Sequence, residues 1–407
     1  MKIPFSPPYI DASVVDEVVD TLRSGWITTG PKTKELEEEI RKFCRAGQVL
    51  CVNSWTSGAI LMLRWLGVKP GDEVIVPAYT YSATALAVLH AGATPVMVDS
   101  GEDFNISVAA VEKALSPRTK AVLPVDIAGF PCDYDALMDL VKTPRARGMF
   151  KAGSPVQGLL GRVLVLSDSA HSLGAYYRQG CRTGNETDVS VFSLHAVKNV
   201  TTAEGGAICL NLPEPFDNEA VYKELRMCSL NCQTKDAFTK SKAGGWRYDI
   251  TGLGMKINMA DVNAAIGLAQ MRQYDRLLSE RKRVFAAYDK AFSACPWAIC
   301  PPSAKDGKET SCHIYALRVK DFTEEQRDRM IEKIGEREVA VNVHFIPMPM
   351  LSFFKGLGYK MEDYPQAYRN YRAEISLPVY PQLTQEQTGF VVETVIAAYE
   401  EVKAETR

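Results

Sequence analysis

The chain has 407 residues, 46% of them hydrophobic and 24% charged, and a formal net charge of -2. That length allows about two domains around a large core, and a near-neutral balance without a basic run excludes a nucleic-acid surface. No window reaches the roughly 18 apolar residues of a membrane span, and ten scattered cysteines without a CxxC pair argue against a metal site and for reduced thiols in the cytoplasm.

Residues Met1 to Pro31 read as an extended arm around one helix. Pro4, Pro7 and Pro8 block regular structure, while Val14, Val15, Val18, Val19 and Leu22 recur at helical spacing. The motif SGWITTGP ends the arm. A second amphipathic helix is predicted over Lys32 to Cys44, with the charged run KELEEEIRK as a solvated face. A strand over Val49 to Val52 leads into NSWTSGAILMLRWLG, where Ser54, Thr56, Ser57 and Gly58 precede a helical apolar pattern. Small hydroxyl residues at a helix start serve as caps, and they also offer the hydroxyl and N–H groups that hold a phosphate.

From Pro70 the pattern is α/β. PGDEVIVPAYTY reads as turn and strand, Ser82 to His90 as a helix, and TPVMVDS as the next, parallel strand. Further apolar strands cover Ala121 to Val125 and Val163 to Leu166, and their composition predicts a mainly parallel sheet covered on both faces. The segment Thr143 to Gly161, rich in Gly, Pro and basic residues, reads as an inserted loop, one that could reshape a substrate pocket. After Gly252 the organisation changes. One long helix is predicted from Asp261 to Phe292, then a strand at His313 to Val319, a helix from Thr323 boxed by Gln326, a strand at Val339 to Phe345, and a last helix after Thr384 with Gln387. The expected division is a large α/β domain over 1–254 and a smaller C-terminal α+β domain over 255–407.

The chemistry centres on Ser190 to Leu212, which places Lys198 between two apolar runs, with Gly205 and Gly206 letting the returning backbone come close to the turn. Asp168 follows the apolar run of RVLVLSDSAHSLGA, at the carboxyl end of a strand where ligands of parallel sheets gather. With Thr56, Ser57 and Tyr81, these residues meet the needs of pyridoxal phosphate: an amine for a Schiff base, an anion for the ring nitrogen, an aromatic over the ring, and donors for the phosphate. His195, three positions before the lysine, either contacts substrate or packs under the sheet. His90 and His313 have no evident partner.

The motifs GWITTGP, PGDEVIVPAYT, GATPVMVD, DSAHSLGA, SLHAVKN, AEGGAI and ISLPVYPQLT run over nearly the whole chain. Through them it resembles the DegT-type sugar aminotransferases, a branch of the aspartate-aminotransferase fold (fold type I of pyridoxal-phosphate-dependent transferases). The resemblance implies Lys198 as the Schiff-base lysine, Asp168 at the pyridine nitrogen, Tyr81 stacked on the ring, His171 beside it, Thr56, Ser57 and Ser193 near the phosphate, and His344 near the sugar. It implies a homodimer with shared active sites, and an amino group passed from an amino-acid donor, glutamate, by way of pyridoxamine phosphate to a nucleotide-linked keto-sugar in amino-sugar and polysaccharide biosynthesis. The family's Asn-x-Arg, which reaches the partner's cofactor phosphate, is here Lys256, Ile257 and Asn258, and HAVKN with KIN is most similar to the branch acting on UDP-4-keto-pentose. Trp55 replaces a smaller residue in the phosphate turn. The resemblance also raises two rivals: a sugar dehydratase, whose branch has histidine where Lys198 stands, and a non-catalytic regulator, which has no use for the set Asp168, Ser193 and Lys198.

Overall fold

The computed structural model describes residues 1–234 and 246–405. Seven short apolar runs pair into one sheet in the order Gln48–Val52, Gly206–Leu210, Val189–Ser193, Leu164–Asp168, Thr119–Val122, Glu73–Pro77, Thr94–Val98. The last five are parallel, whereas Gly206–Leu210 returns antiparallel to Val189–Ser193, and Gln48–Val52 pairs antiparallel with it. Side chains alternate between two apolar layers: Val74, Val76, Leu164 and Leu166 join one buried cluster, and Ile75 and Val165 join another on the opposite face. This is the expected α/β fold, with the mainly parallel sheet buried on both faces.

The SGWITTGP motif is explained by a distant carboxylate. The helix Pro31–Cys44 starts at Gly30, which has no capping side chain. Buried Asp261 substitutes: its carboxylate accepts from the N–H groups of Gly30 at 2.7 Å, Lys32 at 3.1 Å and Thr33 at 3.0 Å, and from the Thr33 hydroxyl at 2.6 Å. Gly30 is required by this approach, because a Cβ there would lie 2.0 Å from Trp26 Nε1 and 2.9 Å from Asp261 Oδ2.

Several elements depart from expectation. The charged run in this helix is not wholly solvated, since Glu37 turns inward to accept from Cys51 N–H and the Tyr222 hydroxyl, both at 2.9 Å. Thr143 to Gly161 is not a loop. Thr143 and Ser154 cap two short helices, Pro144–Met149 and Pro155–Leu160, each begun by proline. This insertion is fastened away from the main cavity, through Ser154 Oγ to Leu66 O at 2.7 Å and Lys120 Nζ to Lys151 O at 2.5 Å, and none of its residues lines that cavity. The expected helix from Asp261 to Phe292 breaks at Arg272 and Gln273 into Asp261–Met271 and Tyr274–Phe292. The first half packs on the arm's helix Ala12–Arg23 and on Pro31–Cys44, while the second carries Tyr288 and Phe292 into the C-terminal core.

In the C-terminal part, Thr323 and Gln326 form the expected capping box of the helix Glu324–Glu336, and Thr384 and Gln387 exchange the same bonds before Gln385–Glu405. Val339 to Phe345 does not form a strand. It makes single bridges, Val339 to Ile3 of the arm and Asn342 to Ser376, then turns to wall the cavity. The sheet there is built from Ala298–Ile299, Tyr315–Val319 and Glu374–Leu377.

Candidate active site

Lys198 sits in the connection between the antiparallel strands Val189–Ser193 and Gly206–Leu210. That connection is stitched to itself and to its surroundings. Leu194 N–H donates to Gly205 O at 2.9 Å, Thr202 N–H to Leu194 O at 2.9 Å, and Lys198 N–H to His195 O at 3.0 Å, while Asn199 Nδ2 reaches Ser311 O at 2.9 Å. Gly206 passes directly under the start of the helix Trp55–Trp65, where a Cβ would lie 2.7 Å from Trp55 N. The close approach brings that helix's N-terminus to the lysine. Ser54 Oγ caps it by accepting from Ser57 N–H at 3.1 Å, and the N–H groups of Trp55 and Thr56 have no intrahelical acceptor, as at any helix start.

At the carboxyl ends of the parallel strands lies a cavity of about 320 Å³ lined by Lys198, Asp168, His171, Tyr81, Thr56 and Ser193. The sequence-predicted His195 and His344 line it as well. His195 is exposed at its rim, 3.6 Å from Glu204, and does not pack under the sheet. Ser57 does not line it, because its N–H and hydroxyl are turned to Ser54. Lys256 and Asn258 also lie outside this chain's cavity; Lys256 Nζ donates to Asn258 Oδ1 at 2.5 Å, and Asn258 Nδ2 to Thr29 Oγ1 at 2.5 Å.

Burial governs the charges. It pushes the Asp168 carboxyl up to about 7, against the Thr84 hydroxyl at 2.9 Å, the Ala170 N–H at 3.2 Å and the field of Lys198. It also brings the Lys198 amine down to about 8, with Asp168 acting in the opposite direction. His171 and His313 are held well below the ordinary histidine value, first by burial and then by nearby cationic or imidazole groups, and both stay neutral. Their hydrogen bonds set their tautomers. His171 Nδ1 accepts from Ala128 N–H at 3.2 Å, so its proton is on Nε2, whereas His313 Nδ1 faces Asn199 Oδ1 at 2.9 Å and carries the proton itself.

Sequence reasoning missed Thr84, Phe5 and Ser6, and it named His313 without finding its partners, Asn199 and the His171 ring. Thr84 stands four positions after Thr80 in PAYTYSAT and reads as an ordinary helical residue, and only the fold brings its hydroxyl to Asp168. His313 and Phe5 are far from Lys198 in sequence and carry no local signal.

The model of the DegT/DnrJ/EryC1/StrS aminotransferase family matches residues 8–146 and 160–396, leaving out most of the insertion. The chain belongs to this family. It is a pyridoxal-phosphate-dependent sugar aminotransferase. The spore coat polysaccharide biosynthesis protein SpsC of Bacillus subtilis is 35% identical over 398 residues, 97% of this chain and 96% of that protein. The putative sugar aminotransferase Spr1654 of Streptococcus pneumoniae, in its PMP form, superposes with a TM-score of 0.94 at 43% identity, covering 98% of this chain and all of that one. Helicobacter pylori PseC, an aminotransferase involved in the biosynthesis of pseudoaminic acid, superposes with a TM-score of 0.85 at 26% identity over 98% of this chain and all of its own.

The residues present fit the family's cofactor. Asp168 is a buried carboxyl whose two neutral donors leave it short of the positive partner that would keep it ionised, and a protonated ring nitrogen is such a partner. Tyr81, 62% exposed, lines the cavity beside the Phe345 ring, and the helix start at Trp55 and Thr56 offers donors to a phosphate.

Proposed function

We propose that this enzyme moves an amino group from glutamate to a nucleotide-linked keto-sugar, with a UDP-4-keto sugar as the specific acceptor. The observation that carries the reading is the placement of one amine of lowered pKa, Lys198, in a shared cavity with buried Asp168 and the helix start at Thr56. The similarity to SpsC, named for polysaccharide biosynthesis, supports a sugar acceptor bound for a polymer. When bound, pyridoxal phosphate supplies an aldehyde carbon and an electron-withdrawing ring. Lys198 would supply the amine that holds the cofactor and, as a neutral amine of lowered pKa, the base that would take a proton from the donor's α-carbon. Asp168 holds a proton at the ring nitrogen. Tyr81 would cover one ring face, and His171, neutral with its proton on Nε2, would stand beside the ring. Thr56 and Ser193 bind the phosphate together with the free N–H groups of the helix start, whereas Ser57 serves by keeping Ser54 in its capping position. His195 and His344 face the acceptor from the two proposed domains, one on either side of residue 254.

The same proposal includes a cytoplasmic homodimer. Apolar side chains at Trp246, Ile250 and Leu253 stand 70%, 51% and 93% exposed, just before Lys256 and Asn258. A second copy covering them would receive Lys256 or Asn258 at its own cofactor phosphate. All ten cysteines are unpaired, as suits a reducing compartment, and no described helix is long and apolar enough to cross a membrane. A dehydratase has no support because Lys198 is present, and the assembled site speaks against a non-catalytic regulator. Offering nucleotide-linked 3-keto and 4-keto sugars to the pyridoxamine form, with product detected by mass, tests the acceptor. Amination of a 3-keto sugar alone would refute the 4-keto assignment.

A further inference from the structure

The N-terminal arm crosses the mouth of the cavity, and no step of the transamination gives it a task. Ile3 is fully buried in the C-terminal core, its N–H donating to Glu338 O and its carbonyl accepting from Ala340 N–H, both at 2.9 Å. At the other end, Pro8 O accepts from Gln382 Nε2 at 3.3 Å and Tyr9 O from Gln270 Nε2 at 2.6 Å. Pro4, Pro7 and Pro8 fix φ along the span between these anchors. A segment held in this way loses little further freedom when a ligand meets it.

In the middle of the span, Phe5 and Ser6 line the same cavity as Lys198. The Phe5 ring stacks on the His344 imidazole with centroids 5.4 Å apart and planes 18° from parallel. His344 is held from behind by Ser376 Oγ, 2.8 Å from its Nδ1. The Ser6 hydroxyl donates at 3.2 Å to the carbonyl of Val197, the residue before Lys198. One wall therefore joins the arm, the histidine and the lysine's own connection.

We infer that Phe5 is a specificity-determining residue, whose ring is the apolar platform for the sugar ring of the acceptor while the ketone faces Lys198. The inference rests on the keto-sugar reading proposed above. A pyranose presents C–H groups on its faces and hydroxyls at its edges, so an aromatic ring can back one face without leaving a hydroxyl unpaired. An amino-acid donor, whose recognition depends on carboxylates, gains nothing from such a surface. The effect of Phe5 should therefore be confined to the acceptor.

The test compares wild type with Phe5→Ala and Phe5→Tyr. Titration calorimetry on the apoprotein uses UDP-glucose, a stable hydroxyl analogue, and UDP alone, and the two half-reactions of the loaded enzyme are timed separately. Phe5→Ala should weaken UDP-glucose about tenfold and leave UDP unchanged, the scale of one aromatic contact. It should raise the acceptor KM by a similar factor with kcat nearly kept and the donor half-reaction unaltered, and Phe5→Tyr should restore both. Equal weakening of UDP and UDP-glucose would assign Phe5 to the nucleotide and overturn the inference. So would unchanged UDP-glucose binding, or a donor half-reaction slowed as much as the acceptor half. Failure of the keto-sugar reading shows separately, in wild-type protein that binds UDP-glucose no better than UDP and aminates no keto-sugar; the inference then falls with it.

Discussion

The amine of Lys198 allows a quantitative test of the site before any substrate is known. Burial takes it from the ordinary lysine value of 10.5 to about 8, and Asp168 limits the fall. A lowered ammonium pKa means that the neutral, nucleophilic amine predominates above that pKa and is lost as pH falls through it. At pH 7.5, about one in four such amines is neutral, against about one in a thousand for an ordinary lysine, a gain of roughly two orders of magnitude in reactive form. The assay mixes apoprotein with saturating pyridoxal phosphate between pH 6 and pH 10, traps the adduct with borohydride, and measures the Lys198 peptide by mass spectrometry. The capture rate should rise with pH around a midpoint near 8. Because the carboxylate of Asp168 raises the lysine pKa, Asp168→Asn should move the midpoint lower still. A midpoint near 10, or an upward shift in Asp168→Asn, would refute burial and the Asp168 charge as the two forces that set this amine.

Three further outcomes follow from the assigned roles. Lys198→Ala should abolish transamination and borohydride-stable labelling while melting like wild type; near-normal turnover would remove the lysine from the chemistry. Asp168→Asn should still bind cofactor, since the helix start and Tyr81 remain, yet lose roughly 10²-fold to 10³-fold in rate, the scale of one preorganised electrostatic contact; unchanged turnover would place the ring-nitrogen partner elsewhere. Mixing Lys198→Ala chains with chains altered at both Lys256 and Asn258 should regain activity, because a mixed dimer rebuilds one intact site. Mixed dimers that form and recover nothing would confine Lys256 and Asn258 to their own chain.

The central sheet and the placement of Asp168 and Lys198 at its strand ends were legible because their signals are local. Apolar runs such as Glu73–Pro77 and Leu164–Asp168 are long enough to be read as buried strands, and a polar residue just past such a run, as Asp168 or Lys198, emerges where parallel sheets gather ligands. Thr323 with Gln326, and Thr384 with Gln387, marked helix starts correctly for the same reason: a capping box is satisfied within four residues. Asp261 shows the limit. It reads as the first residue of a helix, and it also caps a different helix more than 200 positions earlier.

What the sequence determined by itself was therefore the α/β class, the lysine with its carboxylate, and the family. What only the tertiary structure decided was which distant groups surround them: Thr84 on Asp168, His313 behind His171, Phe5 over His344, and Lys256 and Asn258 outside the cavity. The insertion and the segment Val339 to Phe345 follow the same rule. The first became two capped helices fastened to Leu66 and Lys120, and the second lost its strand to single bridges with Ile3 and Ser376. The physical reason is range. Periodicity and caps are settled among neighbours along the chain, whereas burial, and with it every shifted pKa in this site, depends on atoms brought together from all along the chain, from Phe5 to Ser376.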